Sequence, residues 1–233
     1  METSAGSAAG GYYPSPRAKR NASVSSDAAL AGRGGLVTGA GGAPLAPAHP
    51  FWSALFGNDA PVEIEIGSGD GSFLIAGAAR APSTNFLGIE HSRAKAMRLA
   101  ARVTRRGESR IRTLHADAAC VVGTLVPPAS VAAYHVYFPD PWPKRRHARR
   151  RLFTPALVAV IARTLVGGGC LFVASDVYGY LRLIRAHILA DGSFDERESD
   201  GDHPGYGTAF ARKYRAAGRA TYCATFARRA RAH

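Results

Sequence analysis

Residues 62–73 read VEIEIGSGDGSF, and this stretch decides the fold. Val62–Ile66 is rich in β-branched residues and predicts a strand. Gly67, Gly69 and Gly71 predict a tight turn, and Ser72–Arg80 a helix. The same alternation runs downstream. Asn85–Glu90 predicts a strand and Ser92–Arg106 a helix. Arg110–Leu114 predicts a strand and Ala118–Leu125 a short helix. Ser130–Phe138 predicts a strand. Thr154–Leu165 predicts a helix, stopped by Gly167, Gly168 and Gly169. Cys170–Ser175 predicts a strand and Tyr178–Ala190 a helix, and the rest reads as extended pieces ending in Ala220–Ala227. Upstream, HPFWSALFG at 49–57 predicts a helix that packs ahead of the domain. Strands alternating with helices of this length imply parallel βαβ units. The fold class is α/β, a doubly wound, mostly parallel sheet with helices on both faces. Ligands of such sheets bind at the carboxyl ends of the strands, near the switch in strand order.

The glycine turn limits the ligand. Glycine lets a ligand lie against bare backbone. A dinucleotide pyrophosphate favours a third glycine one residue later, where this chain has Ser72. Asp70 sits inside the turn and would repel phosphate. A ligand with no phosphate and some positive charge fits better, and S-adenosylmethionine has that character. Glu65 lies in a strand expected to be apolar on both faces, so its carboxylate is assigned to the ligand pocket. Glu90 ends the second strand, 23 residues after Gly67, near the offset at which an acid holds ribose hydroxyls. Asp117, in HADA, is placed to accept from an adenine amino group, with a helix N-cap as the competing reading. Glu63 is read as a structural ion pair, and His115, His135 and His147 as structural or surface residues.

Composition bounds the partners. The chain has 233 residues, 46% of them hydrophobic, enough for a full core and for one domain plus a tail. No stretch approaches the ~18 unbroken apolar residues of a membrane span. The 3 cysteines, Cys120, Cys170 and Cys223, show no metal-ribbon or disulfide spacing and fit a reducing cytoplasm. No metal site is expected. Residues 1–45 are rich in Gly, Ala, Ser and Pro and predict a disordered tail too polar for export, leaving 46–233 as the domain. Net charge is +13. It concentrates in KRRHARRR at 144–151, in 93–112, and in 211–233. Three such clusters favour a nucleic-acid partner if the fold brings them to one face.

YFPDPWPKRRHARRR at 137–151 is the most specific stretch. Two prolines hold Asp140 in a stiff turn, Trp142 adds an aromatic face, and cations follow at once. An acid, a ring and phosphate-binding cations suit the capture of one base within a nucleic acid.

On PVEIEIGSGDGSF, FLGIE, HADA, FPDPWPKRRHARRR, ASD and TAFARKY, the sequence resembles the bacterial tRNA (guanine-N7)-methyltransferases, over about residues 61–214. The resemblance implies a Rossmann-like enzyme that transfers a methyl group from S-adenosylmethionine to N7 of guanine 46 in the tRNA variable loop. It implies cofactor contacts at Glu65, Gly67, Gly69, Glu90, Asp117 and Asp140. It implies a catalytic role for Asp140, and substrate contacts at Lys144, Asp176, Thr208, Phe210, Ala211 and Lys213. The chain departs from the family where a glutamate is usual and Ala211 stands. Glu198 and Asp202 are the nearby acids. The competing readings are a methyltransferase for another acceptor and a non-catalytic RNA-binding relative. No obligatory protein partner is evident.

Overall fold

The computed structural model describes residues 48–198 and 203–230; the predicted tail lies outside the described residues. In chain order the elements are α1 (Pro50–Phe56), β1 (Val62–Ile66), α2 (Ser72–Arg80), β2 (Asn85–Glu90), α3 (Arg93–Arg105), β3 (Ile111–His115), α4 (Ala118–Thr124) and β4 (Val131–Tyr137). There follow a 3₁₀ turn (Arg145–Arg150), α5 (Pro155–Thr164), β5 (Leu165–Ser175), α6 (Tyr178–Ala190) and β6 (Phe194–Arg197). A second 3₁₀ turn (Pro204–Gly207), α7 (Ala209–Ala216) and β7 (Tyr222–Arg228) complete the described chain.

One sheet orders its strands β3-β2-β1-β4-β5-β7-β6. β1 to β5 pair in parallel, and β7 runs antiparallel between β5 and β6. Strand order reverses between β1 and β4, which puts the ligand crevice outside their carboxyl ends. Those ends carry Glu65 and the glycine turn on one side and Phe138–Trp142 on the other. Ile64, Tyr134, Leu157, Ile161, Leu171, Ile184 and Phe226 are fully buried in the core between sheet and helices. The Tyr134 phenol pairs with the Thr164 hydroxyl at 2.8 Å, so this buried polar group is satisfied.

Two expectations change. The glycines 167–169 do not stop a helix ahead of the strand. β5 begins at Leu165 and runs through them, and its register against β4 shifts between Val131 and Ala133. The triplet is a bulge, and Gly168 adopts φ 78° there. Residues 209–216, read as extended, form α7. Thr208 caps it by accepting from the Ala211 N–H at 3.1 Å.

Glu63 is the structural partner expected of it. Its Oε2 lies 2.8 Å from Nε2 of the buried His135. With that proton on Nε2, Nδ1 accepts from the Tyr137 hydroxyl at 2.7 Å. Phe73, Phe172 and His203 pack around this group. His203 is held neutral. Burial lowers its pKa to about 4, against the Ala224 carbonyl bond. Its Nδ1 accepts from Gly205 N–H, and its Nε2 lies 3.2 Å from the Ala224 carbonyl. This pins the loop that brings α7 to the crevice.

Candidate active site

The crevice is a cleft of about 890 Å³ at the reversal point. Its floor is the glycine turn. Gly67, Gly69 and Gly71 adopt φ of 79°, 56° and 73°, a region that side chains disfavour. A Cβ on Gly71 would lie 2.0 Å from Leu99 Cδ1, so the turn is also where α2 and α3 close together. The Gly67 N–H is bonded to the Ile89 carbonyl at 2.8 Å.

Four acids face this cleft: Glu65, Asp70, Glu90 and Asp140. Glu65 is 5% exposed, and its Oε2 has no hydrogen-bond partner among the described residues. Burial pushes its carboxyl well above the ordinary range, and the charges of Asp70 and Glu90 push the same way. A buried, unpaired carboxylate oxygen is costly. Its position at the end of β1, on the wall of a cleft, assigns it to a ligand that donates hydrogen bonds or carries positive charge. The Ser68 hydroxyl, on the same wall, is likewise buried and unpartnered among the described residues. Glu90 is committed in part: Oε2 accepts from Gly69 N–H at 2.9 Å and Oε1 from Ser92 N–H at 2.7 Å. Each oxygen keeps a lone pair for a hydroxyl donor.

Asp70 does less than the sequence implies. It accepts from the Ser72 N–H and hydroxyl at 3.0 and 2.7 Å. Burial opposes ionisation, but these bonds and Arg102 hold its carboxyl below the ordinary range. Arg102 also donates to the Asp70 carbonyl at 2.9 Å, so the turn's acid is partly neutralised.

Asp140 is exposed at the mouth, between Pro139 and Pro141. Its neighbours Phe138 and Trp142 hold φ of 52° and 42°, unusual for non-glycine residues and typical of strained functional loops. Arg151 supports the loop, donating from Nε to the Pro141 carbonyl at 3.0 Å and from Nη2 to the Trp142 carbonyl at 3.2 Å. Arg150 lies over the Trp142 ring at 5.0 Å and His147 meets it edge-on. The basic run therefore splits. Arg150 and Arg151 hold the loop, whereas Arg145, Arg146 and Arg149 are exposed with no ion-pair partner among the described residues. Arg151→Ala is expected to destabilise the protein by about 1–3 kcal/mol, because it removes two charge-assisted bonds to the loop. The triple change of Arg145, Arg146 and Arg149 to Ala should leave the thermal midpoint within about 1 °C. Thermal unfolding checks this, and equal shifts for the two variants would contradict it.

Other expected contacts move. Asp117 is exposed, lies outside the cleft lining and caps α4, accepting from Cys120 N–H at 2.9 Å. One of its oxygens is thus spent on the N-cap. Asp176 also lies outside the lining. It pairs with Arg219 at 3.2 Å, and Arg219 lies over the Tyr214 ring at 4.3 Å, tying the end of β5 to α7. The Ala211 side chain is 1% exposed, on the inner face of α7, and its N–H is bonded to the Thr208 hydroxyl. Lys144 is exposed at the start of the 3₁₀ turn, outside the lining. Thr208, Phe210 and Lys213 do line the cleft. The Thr208 hydroxyl is spent on capping α7 and on the Gly205 carbonyl. Phe210 is 54% exposed and stacks on Phe138 at 5.7 Å and 24°. Glu198 is exposed and outside the lining; Asp202 lies outside the described residues. Among the described residues no cluster of three or more His, Cys, Asp or Glu side chains could hold a metal ion, and no helix is long and apolar enough to cross a membrane.

The strand order, the glycine turn and the orphan carboxylate define the Rossmann-like class of S-adenosylmethionine-dependent methyltransferases. The chain belongs to the family described as "Putative methyltransferase", whose model matches residues 59–224. Its curated relatives bear the name tRNA (guanine-N(7)-)-methyltransferase. The protein from Burkholderia cenocepacia is 38% identical over 157 residues, covering 67% of this chain and 62% of that protein. That from Nocardia farcinica is 45% identical over 140 residues, covering 60% and 51%. That from Mycobacterium avium is 37% identical over 173 residues, covering 73% and 65%. This chain thus spans between half and two thirds of the length of these relatives. The resemblance carried by FPDPW and the glycine turn is borne out. Among solved structures, the 16S rRNA methyltransferase KamB matches with TM-score 0.53 at 15% identity, covering 72% of this chain and 88% of that one. The [4+2]-cyclase SpnF matches with TM-score 0.52 at 15% identity, covering 74% and 76%. At that identity the likeness concerns the fold alone, and a cyclase among the matches illustrates that fold does not fix chemistry.

Proposed function

We propose that this chain transfers a methyl group from S-adenosylmethionine to N7 of a guanine in tRNA, guanine 46 of the variable loop. The observation that carries the reading is the pairing of Glu65, buried with a free oxygen, and Asp140, held on a strained loop, across one cleft. The names of the curated relatives support the acceptor.

When bound, S-adenosylmethionine supplies a methyl on a sulfonium, an electrophile that a neutral ring nitrogen can displace. Glu65, Glu90, Gly67 and Gly69 would hold it: the free Glu65 oxygen suits a cationic or donating group, and Glu90 at the end of β2 suits hydroxyls. Guanine N7 already carries an in-plane lone pair, so the chain need not remove a proton there. Its work is placement, which can contribute ~7–11 kcal/mol in favourable systems. Asp140 accepts from guanine N1–H and N2–H₂, donors that adenine lacks in that arrangement, and its charge offsets the positive charge that grows on the purine. Phe210, beside Phe138, offers a ring for stacking, and Lys213 a cation for phosphate.

The test is incubation of the full chain with unmodified tRNA and labelled S-adenosylmethionine, followed by mapping of the methylated base. Label at guanine 46 sensitive to N7-specific cleavage is expected. Label on another atom, on protein, or absent altogether would overturn the proposal.

A further inference from the structure

The helix α3 is positive to a degree its fold does not need. RAKAMRLAARVTR carries Arg93, Lys95, Arg98, Arg102 and Arg105 and no acid. Ala96, Leu99 and Val103 form its buried side. At 3.6 residues per turn, positions 95, 98, 102 and 105 fall within an arc of about 80° beside that buried side. All four line the cleft that Asp140 faces.

Electrostatics within the helix argues against this arrangement unless a ligand repays it. Like charges three and four residues apart repel by a few tenths of a kcal/mol each. Arg93 and Lys95 sit at the helix N-terminus, where the macrodipole is positive and cations are disfavoured. Arg102 has an anionic partner, Asp70. Lys95, Arg98 and Arg105 are exposed and have no ion pair among the described residues.

We infer that this face of α3 is a phosphate rail, which grips the tRNA backbone beside the target nucleotide while the base enters the cleft. The inference rests on the reading of the cleft as a tRNA methylation site and adds the strand's path over it. From Lys95 to Arg105 the helix rises about 15 Å. A nucleic-acid strand carries a phosphate every few ångströms, so the rail is long enough to meet several successive phosphates. A small anion has no use for cations spread over that length. A flat anionic bilayer cannot follow them into a cleft that also holds Glu65, Asp70 and Glu90. An extended, curved polyanion can.

The experiment uses the full chain and an unmodified tRNA transcript. Affinity is measured against salt for wild type, the Arg98→Gln/Arg105→Gln variant and the Arg98→Lys/Arg105→Lys variant. S-adenosylmethionine affinity is measured by calorimetry, and methyl transfer by steady-state kinetics. Wild type should show a steep salt dependence. The glutamine variant should lose about 1.4–1.8 from the slope of log affinity against log salt, near 0.7–0.9 for each phosphate contact. Its KM for tRNA should rise at least tenfold, with S-adenosylmethionine affinity within about twofold of wild type. The lysine variant should recover most of the loss, because phosphate reads charge here. An unchanged salt slope would overturn the rail. So would an equal fall in S-adenosylmethionine affinity, or equal binding of the glutamine variant's parent to phosphatidylglycerol vesicles and to tRNA. Tight tRNA binding that depends on these arginines, without N7 methylation, would sink the functional reading and leave the rail standing. Normal methylation efficiency in the glutamine variant would do the reverse.

Discussion

Glu65→Gln should stabilise the ligand-free protein and weaken its hold on S-adenosylmethionine at the same time. The carboxyl is buried beside Asp70 and Glu90, and its Oε2 has no partner among the described residues. At pH values where Glu65 is ionised, replacing it with a neutral amide of the same size relieves that desolvation. A rise in thermal midpoint of about 2–4 °C is expected, the shift that ~1 kcal/mol produces in a domain of this size. The cationic ligand loses a charge-assisted partner, so its affinity should fall about 10- to 100-fold. Because the folded-state pKa is raised, the folded protein holds this proton at pH values where the unfolded chain has released it. The stabilisation it brings is fully present below the unfolded-state pKa and fades as pH rises through the raised one. Ligand affinity should run the other way, growing as Glu65 ionises, and the glutamine variant should flatten both profiles. Calorimetric affinity and thermal midpoints across pH 5–8 check this. A destabilised variant that binds S-adenosylmethionine as well as wild type would refute the assignment.

Asp140→Asn should abolish most methyl transfer while leaving the fold intact. The residue is exposed, so its loss creates no buried cavity or orphan. The loop geometry rests on the backbone at Phe138 and Trp142 and on Arg151, none of which the change touches. An amide presents a donor where the guanine edge also presents donors, and it carries no charge to offset the purine cation. Loss of one such preorganised electrostatic partner costs roughly 10²–10³ in rate in other enzymes, and a fall of that size in kcat/KM for tRNA is expected. The thermal midpoint should stay within about 1 °C. The variant should also discriminate less against a transcript with adenine in place of the target guanine. Full turnover by Asp140→Asn would remove the residue from the chemistry.

Much of this architecture is legible along the chain because the relevant signals are local. β1, the glycine turn, α2 and β2 follow from strand chemistry and from glycines whose left-handed φ the turn requires. Glu65 stands out because a carboxylate inside a doubly covered strand needs a reason. The misses share a physical cause. At 167–169 glycine reads as punctuation, whereas tertiary pairing with β4 absorbs the triplet as a bulge. α7 is short, and at 208–216 local pattern does not overcome the surrounding turns; its cap and its packing do. The basic face of α3 was available from a helical-wheel count over 95, 98, 102 and 105, but charge totals alone do not reveal direction. The Arg151 clamp had no local sign at all, because a basic run looks the same whether it binds phosphate or its own backbone.

The sequence by itself determined the class: a doubly wound sheet, a glycine turn after its first strand, and an acid locked between prolines ahead of a basic run. These are properties of neighbouring residues, set by backbone sterics and by the cost of burying charge. Only the tertiary structure decided which acids share the cleft. Glu65, Glu90 and Asp140 come together there, whereas Asp117 turns to cap α4 and Asp176 to Arg219. A carboxylate's role depends on which donors reach it first, and those donors come from elements far apart in the chain.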